Sequence, residues 1–137
     1  MSFGLHPEGY LLDTHVLLRW QFESARLPER VRELLRREDP RIIVSVCSLW
    51  EIRIKERLGK LKLPARFIDV LRSDAIQRLN ISTEHALTAG AFDPLHGDPF
   101  DRMLVAQAQL ENLTLVAADG KLAAYGVPIL DAKPKRR

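Results

Sequence analysis

The sequence has 137 residues, 46% apolar and 28% charged, with 21 Lys and Arg against 18 Asp and Glu. That is the length of one domain, and a chain this long buries roughly two-thirds of its unfolded surface without needing staples. A single cysteine, Cys47, excludes an intrachain disulfide and points to a reducing compartment, and no apolar run approaches the ~20 residues that span a bilayer.

The opening MSFGLHPEGYLLD carries neither the basic nor the apolar region of a secretion signal, so a cytoplasmic protein is expected. The expected organisation is one domain over 1–137, with a core at about 10–131 and a basic tail at 133–137. Tyr10-Leu11-Leu12 reads as a short buried strand, and Thr14–Trp20 has helical spacing. Leu27-Pro28-Glu29 opens a second helix, from Pro28 to Arg37, with Val31, Leu34 and Leu35 on its apolar face. Ile42-Ile43-Val44 is a buried-strand run, and a helix from Val46 to Leu58 stops at Gly59. Pro64 starts a helix to Ser73, and Ile76–Ile81 reads as a strand. Thr83–Gly90 and Pro99–Glu111 read as helices, and Leu113–Ala117 as a strand. A short helix at Lys121–Tyr125 and a strand at Pro128-Ile129-Leu130 close the chain. Alternating helices and apolar strands predict an α/β fold of three layers, α/β/α, around a mostly parallel sheet of four to five strands. In such sheets the ligand site lies at the carboxyl edge of the strands.

Two acids fall at that edge. Asp13 follows Leu11-Leu12, and Asp119 follows Val116-Ala117-Ala118. Each also reads as a helix cap, and Asp119-Gly120 as a turn. Glu51 shares a helical stripe with Cys47, Trp50, Ile54 and Leu58, while Arg53, Glu56, Arg57 and Lys60 point the other way. A carboxylate on an apolar stripe needs a partner, and Lys55 at i,i+4 is the simple one. In Gly97-Asp98-Pro99-Phe100-Asp101-Arg102, Asp98 is an N-cap and Pro99 the first helical residue. Asp101 then heads the stripe Leu104, Val105, Ala108, which faces the sheet.

Four carboxylates gathered at one edge repel and are driven to protonate unless a cation compensates. Hard divalent ions such as Mg²⁺ or Mn²⁺ take oxygen ligands of this kind, and such an ion can activate water and orient a phosphodiester. The chain has no zinc set: Cys47 is alone, and His6, His15, His85 and His96 are scattered. It has no phosphate-binding GxxxxGK[ST] loop, and Ser45 and Ser48 lack a nucleophile-elbow context. Committing Asp13, Glu51, Asp101 and Asp119 to a site leaves 14 acids against 21 bases, gathered in Arg30–Arg37, Arg53–Lys62 and Lys133–Arg137. Those runs fit a polyanion, or are solvated helix faces.

Four segments, in order, resemble the PIN domain family, specifically its VapC-type toxins. They are Leu11-Leu12-Asp13-Thr14-His15, Ser45-Val46-Cys47-Ser48-Leu49-Trp50-Glu51-Ile52, Leu95-His96-Gly97-Asp98-Pro99-Phe100-Asp101-Arg102 and Leu113-Thr114-Leu115-Val116-Ala117-Ala118-Asp119. The resemblance covers 10–131. It implies a metal-dependent endoribonuclease using Mg²⁺ or Mn²⁺, paired with a small VapB-like antitoxin and forming a homodimer. Asp13, Glu51, Asp101 and Asp119 correspond to the family's four acids, as metal ligands and catalytic groups, and Thr14 to a hydroxyl assisting at the first. Asp98 is an accessory candidate or simply a cap. Other readings are a catalytically silent interaction module on the same fold and a DNA-cleaving nuclease. An antitoxin peptide would bring an Arg to the acids with an apolar anchor. Trp20, Phe22, Trp50 and Leu58 are candidates to line its groove, each having a core role as the simpler expectation.

Overall fold

The computed structural model describes residues 9–38, 40–93 and 97–134. His6 and most of the N-terminal extension, Leu95-His96 of the third segment, and the last three residues of the basic tail lie outside the described residues. Five strands form one sheet in the order β3-β2-β1-β4-β5, every neighbouring pair parallel. They are β1 (Tyr10–Leu12), β2 (Ile42–Ser45), β3 (Gln77–Leu79), β4 (Thr114–Ala117) and β5 (Ile129–Asp131). The helices are α1 (Thr14–Phe22), α2 (Glu29–Arg36), α3 (Val46–Arg57), α4 (Ala65–Arg72), α5 (Thr83–Ala91) and α6 (Pro99–Leu110). Two 3₁₀ helices span Ser24–Arg26 and Gly120–Tyr125.

Whereas the edge strands β3 and β5 are partly exposed, the three central strands, β2, β1 and β4, are buried on both faces, which is why they read as continuous apolar runs. Alternation splits their side chains between two cores. Leu12, Val44 and Val116 pack with Val16, Leu17, Val31, Ile52, Phe67 and Leu71, under α1 to α4. Leu11, Ile43 and Leu115 pack with Cys47, Leu104, Val105 and Ala108, under α6 and the second 3₁₀ helix. The expected three layers are therefore present, with the sheet parallel throughout. Gly9 leads into β1 where no side chain fits, since a Cβ there would stand 2.9 Å from the Cβ of Arg41.

From β1 the chain moves outward to β2 and β3, then returns past β1 to β4 and β5. The direction of strand order therefore reverses between β1 and β4, the position where open parallel sheets leave a crevice. Asp13 follows one of these strands and Asp119 the other. The Asp13 amide donates to the Val116 carbonyl at 3.0 Å, extending the β1–β4 ladder to the acid itself.

Most element boundaries fall within two residues of those expected. The strand expected at Ile76–Ile81 forms only over Gln77–Leu79, because this edge strand pairs on one side alone. Pro28 caps α2 rather than starting it, with its φ at −59° but ψ at 153°. As expected, α3 ends at Gly59, which takes φ +78°.

Candidate active site at the carboxyl edge of the sheet

Asp13 is the N-cap of α1 and is 4% exposed. Its carboxylate accepts the Val16 amide at 2.7 Å and the backbone amide of Ala118, so it ties α1 to the end of β4. Burial pushes its pKa up to about 6; the two amides and nearby Arg19 pull it down, and nearby Glu51 pushes it up again. The cap expected from sequence is thus real, and the capping acid is also largely buried where it meets the crevice.

Glu51 is equally buried, on the second turn of α3. One carboxylate oxygen accepts Thr14 Oγ1 at 2.6 Å, and the other lies 2.9 Å from Lys55 Nζ. Thr14 Oγ1 also stands 3.0 Å from Ser48 Oγ. Both readings of Glu51 therefore hold: it faces inward, and it pairs with Lys55. The buried face of α3 differs from the expected stripe. It consists of Cys47, Ser48, Glu51 and Ile52, whereas Trp50 is 62% and Leu58 63% exposed. A helix that buries a polar site turns its Ser and Glu inward, and this rotates Trp50 and Leu58 out. Phe22 is also exposed, so the expected core role fails for three of the four candidate anchors; Trp20 packs partly buried against the core.

Asp101 is half-buried in the first turn of α6, above the buried residues Leu104, Val105 and Ala108. Asp119, also half-buried, caps the second 3₁₀ helix by accepting the Lys121 amide at 2.9 Å. Asp98 accepts the Phe100 amide at 2.8 Å, and Pro99 takes the first turn, as the sequence led one to expect.

Asp13, Asp101 and Asp119 line one open cavity of about 380 Å³ together with His15, Arg19 and Ala118. Glu51 does not line this cavity, but it acts electrostatically on both Asp13 and Cys47. Three of the four acids thus open onto one space and the fourth acts on one of them. Among the described residues no three His, Cys, Asp or Glu side chains stand close enough to form a ready-made metal cage. A hydrated Mg²⁺ does not need one, because it keeps several waters and takes one or two carboxylates from the protein. The all-oxygen donor set fits such an ion.

Three contributors were not singled out from sequence. His15 and Arg19 stand one turn apart on α1 and both line the cavity; Arg19 Nη1 is buried without a hydrogen-bond acceptor among the described residues. Ser48 supports Thr14 from α3. Their i,i+4 spacing behind Asp13 was the available signal for the first two.

The match to the PIN domain family model extends over residues 10–128. The chain belongs to the PIN domain family. Among solved structures, this PIN domain is similar to DNA-bound VapBC from Salmonella typhimurium, with 20% identity, a TM-score of 0.66 and coverage of 90% of this chain and 97% of that one. A toxin–antitoxin complex from Klebsiella pneumoniae gives 19% identity and a TM-score of 0.62, covering 89% and 96%. FitAcB from Neisseria gonorrhoeae gives 22% and 0.61, again covering 89% and 96%. These likenesses are of fold. No curated protein sequence matches the chain. No helix among the described residues is long and apolar enough to cross a membrane.

Proposed function

We propose that this PIN domain is the toxin of a toxin–antitoxin pair and acts as a Mg²⁺- or Mn²⁺-dependent endoribonuclease in the cytoplasm. The observation that carries the reading is the single cavity at the strand switch point, walled by Asp13, Asp101 and Asp119, with Glu51 acting on Asp13. Asp13 and Asp101 would hold the cation directly, Asp119 would reach it through its waters, and Glu51 would act on it electrostatically. When bound, the cation supplies an activated water and offsets charge on the leaving oxygen. Thr14 and Lys55 fix Glu51 from opposite sides, so that the acid cannot swing into the cavity as an unpaired charge. Arg19 lines this space, and its guanidinium would donate there to a phosphate oxygen.

The test is cleavage of RNA and DNA substrates by the purified protein. RNA cleavage with Mg²⁺ or Mn²⁺ that EDTA stops is the expected result. Undiminished cleavage in EDTA refutes the metal's role, preferential DNA cleavage refutes the substrate, and inertness towards both leaves an interaction module.

The antitoxin would be a VapB-like protein whose Arg reaches the carboxylates, since a planar fork matches a carboxylate bidentately. An apolar anchor is needed because exposed ion pairs are weak. Trp20 and Leu35 would receive one in a mixed cavity of about 290 Å³ whose other walls are Ser24, Arg32 and Arg36, near the far end of the helix that Asp13 caps. The toxin is proposed to act as a homodimer. Growth should slow when the gene is expressed alone and recover with its neighbouring gene or with Asp13→Asn; equal growth in all cultures counts against the toxin reading.

A further inference from the structure

A third cavity, of about 190 Å³, is lined by Cys47, Trp50, Ile81, Pro99, Phe100 and Met103. It lies under the opposite helix layer from Trp20, since Cys47, Phe100 and Met103 belong to the core that α6 covers. Its wall offers almost nothing to a polar ligand. Trp50 and Phe100 form its aromatic part, in an edge-to-face pair with centroids 5.3 Å apart. Trp50 is nonetheless more than half exposed, a large indole surface that the fold leaves uncovered.

The position of this cavity gives it meaning. Trp50 is the chain neighbour of Glu51, and Phe100 that of Asp101. The first turn of α6 therefore separates the two cavities: Asp101 lines the acidic one and Phe100 the apolar one. The same nearness is felt by the Cys47 thiol, whose pKa burial and then the charges of Glu51, Asp98 and Asp101 push up to about 12. The exposed face of α3 continues the pattern. Arg53 and Arg57 follow Trp50 at i+3 and i+7, on one side of the helix, and line a further cavity with Glu56. The Arg53–Glu56 pair, at 3.0 Å and solvent-exposed, is of the kind that yields readily to a competing anion.

We propose that Trp50 and Phe100 form a stacking platform for one unpaired nucleobase next to the acids, with Arg53 and Arg57 holding the adjoining phosphates. This rests on the nuclease reading above. Single-stranded nucleic acid is bound by this combination, an aromatic face for the base and a positive track for the backbone. A near-apolar slot suits a flat ring better than a charged group, and the flanking arginines suit the strand to which that ring is attached. Stacking is indifferent to base identity, so the platform orients substrate and sets how much of it must be unpaired.

The experiment uses Trp50 as its own reporter. The chain has two tryptophans, so Trp20→Phe leaves Trp50 as the single indole. A phosphorothioate RNA hexamer is titrated into this variant while anisotropy of a labelled hexamer reports binding independently. Saturable quenching of Trp50 emission is expected at the concentration where anisotropy rises. Trp50→Ala should weaken hexamer binding about tenfold, Trp50→Phe should restore most of it, and neither should shift the melting temperature, because the side chain is exposed. Binding by anisotropy without quenching, and unchanged in Trp50→Ala, would overturn the platform and leave the nuclease reading intact. A fall in particle mass by light scattering for Trp50→Ala, with hexamer binding unchanged, would also overturn it and assign the face to a second copy of the chain. A protein that neither binds nor cleaves RNA would refute both.

Discussion

The four acids of the site fall into two pairs with different physics. Asp13 and Glu51 are buried, each 4% exposed, though Asp13 still lines the cavity, and each is fixed by contacts from another element. Asp101 and Asp119 are half-open at the heads of helices, on the cavity's outer wall. Even the buried pair is not uniform. Glu51 has a cation, Lys55, at 2.9 Å and a hydroxyl at 2.6 Å. Asp13 has two backbone amides and more distant help from Arg19, which does not offset its burial. Burial is therefore less well compensated at Asp13 than at Glu51, and a divalent cation, if held here as proposed, would gain most at Asp13.

The largest expected effects are on cleavage. Asp13→Asn and Asp101→Asn should each lower RNA cleavage by at least about a hundredfold, since both remove a charge that would hold the ion. If these acids were only caps, Asn would serve as well, and activity would survive. Steady-state rates at saturating Mg²⁺ measure this directly.

Stability should then separate the buried pair. Folded Asp13 takes up its proton near pH 6, against an ordinary value of 3.8. The folded state therefore binds the proton more tightly than the unfolded one. Sign for sign, the metal-free protein loses stability as pH rises from about 4 to 6, by up to about 3 kcal/mol from this group. Asp13→Asn should accordingly melt several degrees higher than the parent at pH 8, and the gap should fall to about half at pH 5, midway between the folded and unfolded pKa, and close only below about pH 4. Glu51→Gln should melt lower, by about 1 kcal/mol, because it loses the Lys55 pair. Thermal melts at the two pH values decide it; a stabilised Glu51→Gln or a destabilised Asp13→Asn at pH 8 would erase the contrast. Cation binding should strengthen from pH 5 to 7 with proton release, readable by calorimetry in buffers of different ionisation enthalpy.

This contrast also marks what the sequence can and cannot carry. The central strands were legible because parallel strands buried on both faces leave unbroken apolar runs such as Ile42-Ile43-Val44. Asp13 and Asp119 were legible because a strand followed by a capping acid fixes position along the sheet edge. The face of Glu51 was legible for the wrong reason. A stripe of Trp50, Ile54 and Leu58 suggested an apolar seam, but the seam is polar, built on Ser48 and Glu51 against Thr14. Hydrophobic periodicity cannot find a buried face whose reason for burial is hydrogen bonding to another helix. His15 and Arg19 were passed over for a related cause: a lone His or Arg near the start of a helix has no signature until the sheet brings Asp101 and Asp119 opposite it.

Lys55 gives a finer test of the better-compensated half. Lys55→Ala would leave Glu51 buried with only the Thr14 hydroxyl, at a cost of about 1–3 kcal/mol to the metal-free protein. A cation near Glu51 would replace the missing charge. The melting temperature should therefore rise more on adding Mg²⁺ in Lys55→Ala than in the parent, and an equal rise would mean that Glu51 does not sense the ion.

The smallest effects should come from the outermost acids, and they set the edge of the site. Asp119 faces the cavity but also caps a 3₁₀ helix, so Asp119→Asn should keep the fold and lower cleavage by about tenfold, less than Asp101→Asn. Asp98 sits one turn before Asp101 and does not line the acid cavity; its carboxylate accepts the Phe100 amide at 2.8 Å. Asp98→Asn should therefore leave both cleavage and melting within about twofold and about 0.5 kcal/mol, since Asn caps equally well. Asp98→Ala should cost about 1 kcal/mol of stability through the lost cap, and any loss of cleavage should be recovered on cooling, because the cap positions the first turn of α6 without touching substrate. If Asp98→Asn instead lost cleavage while melting like the parent, the charge and not the cap would be what matters, and the acid set would begin one turn earlier in the chain than Asp101.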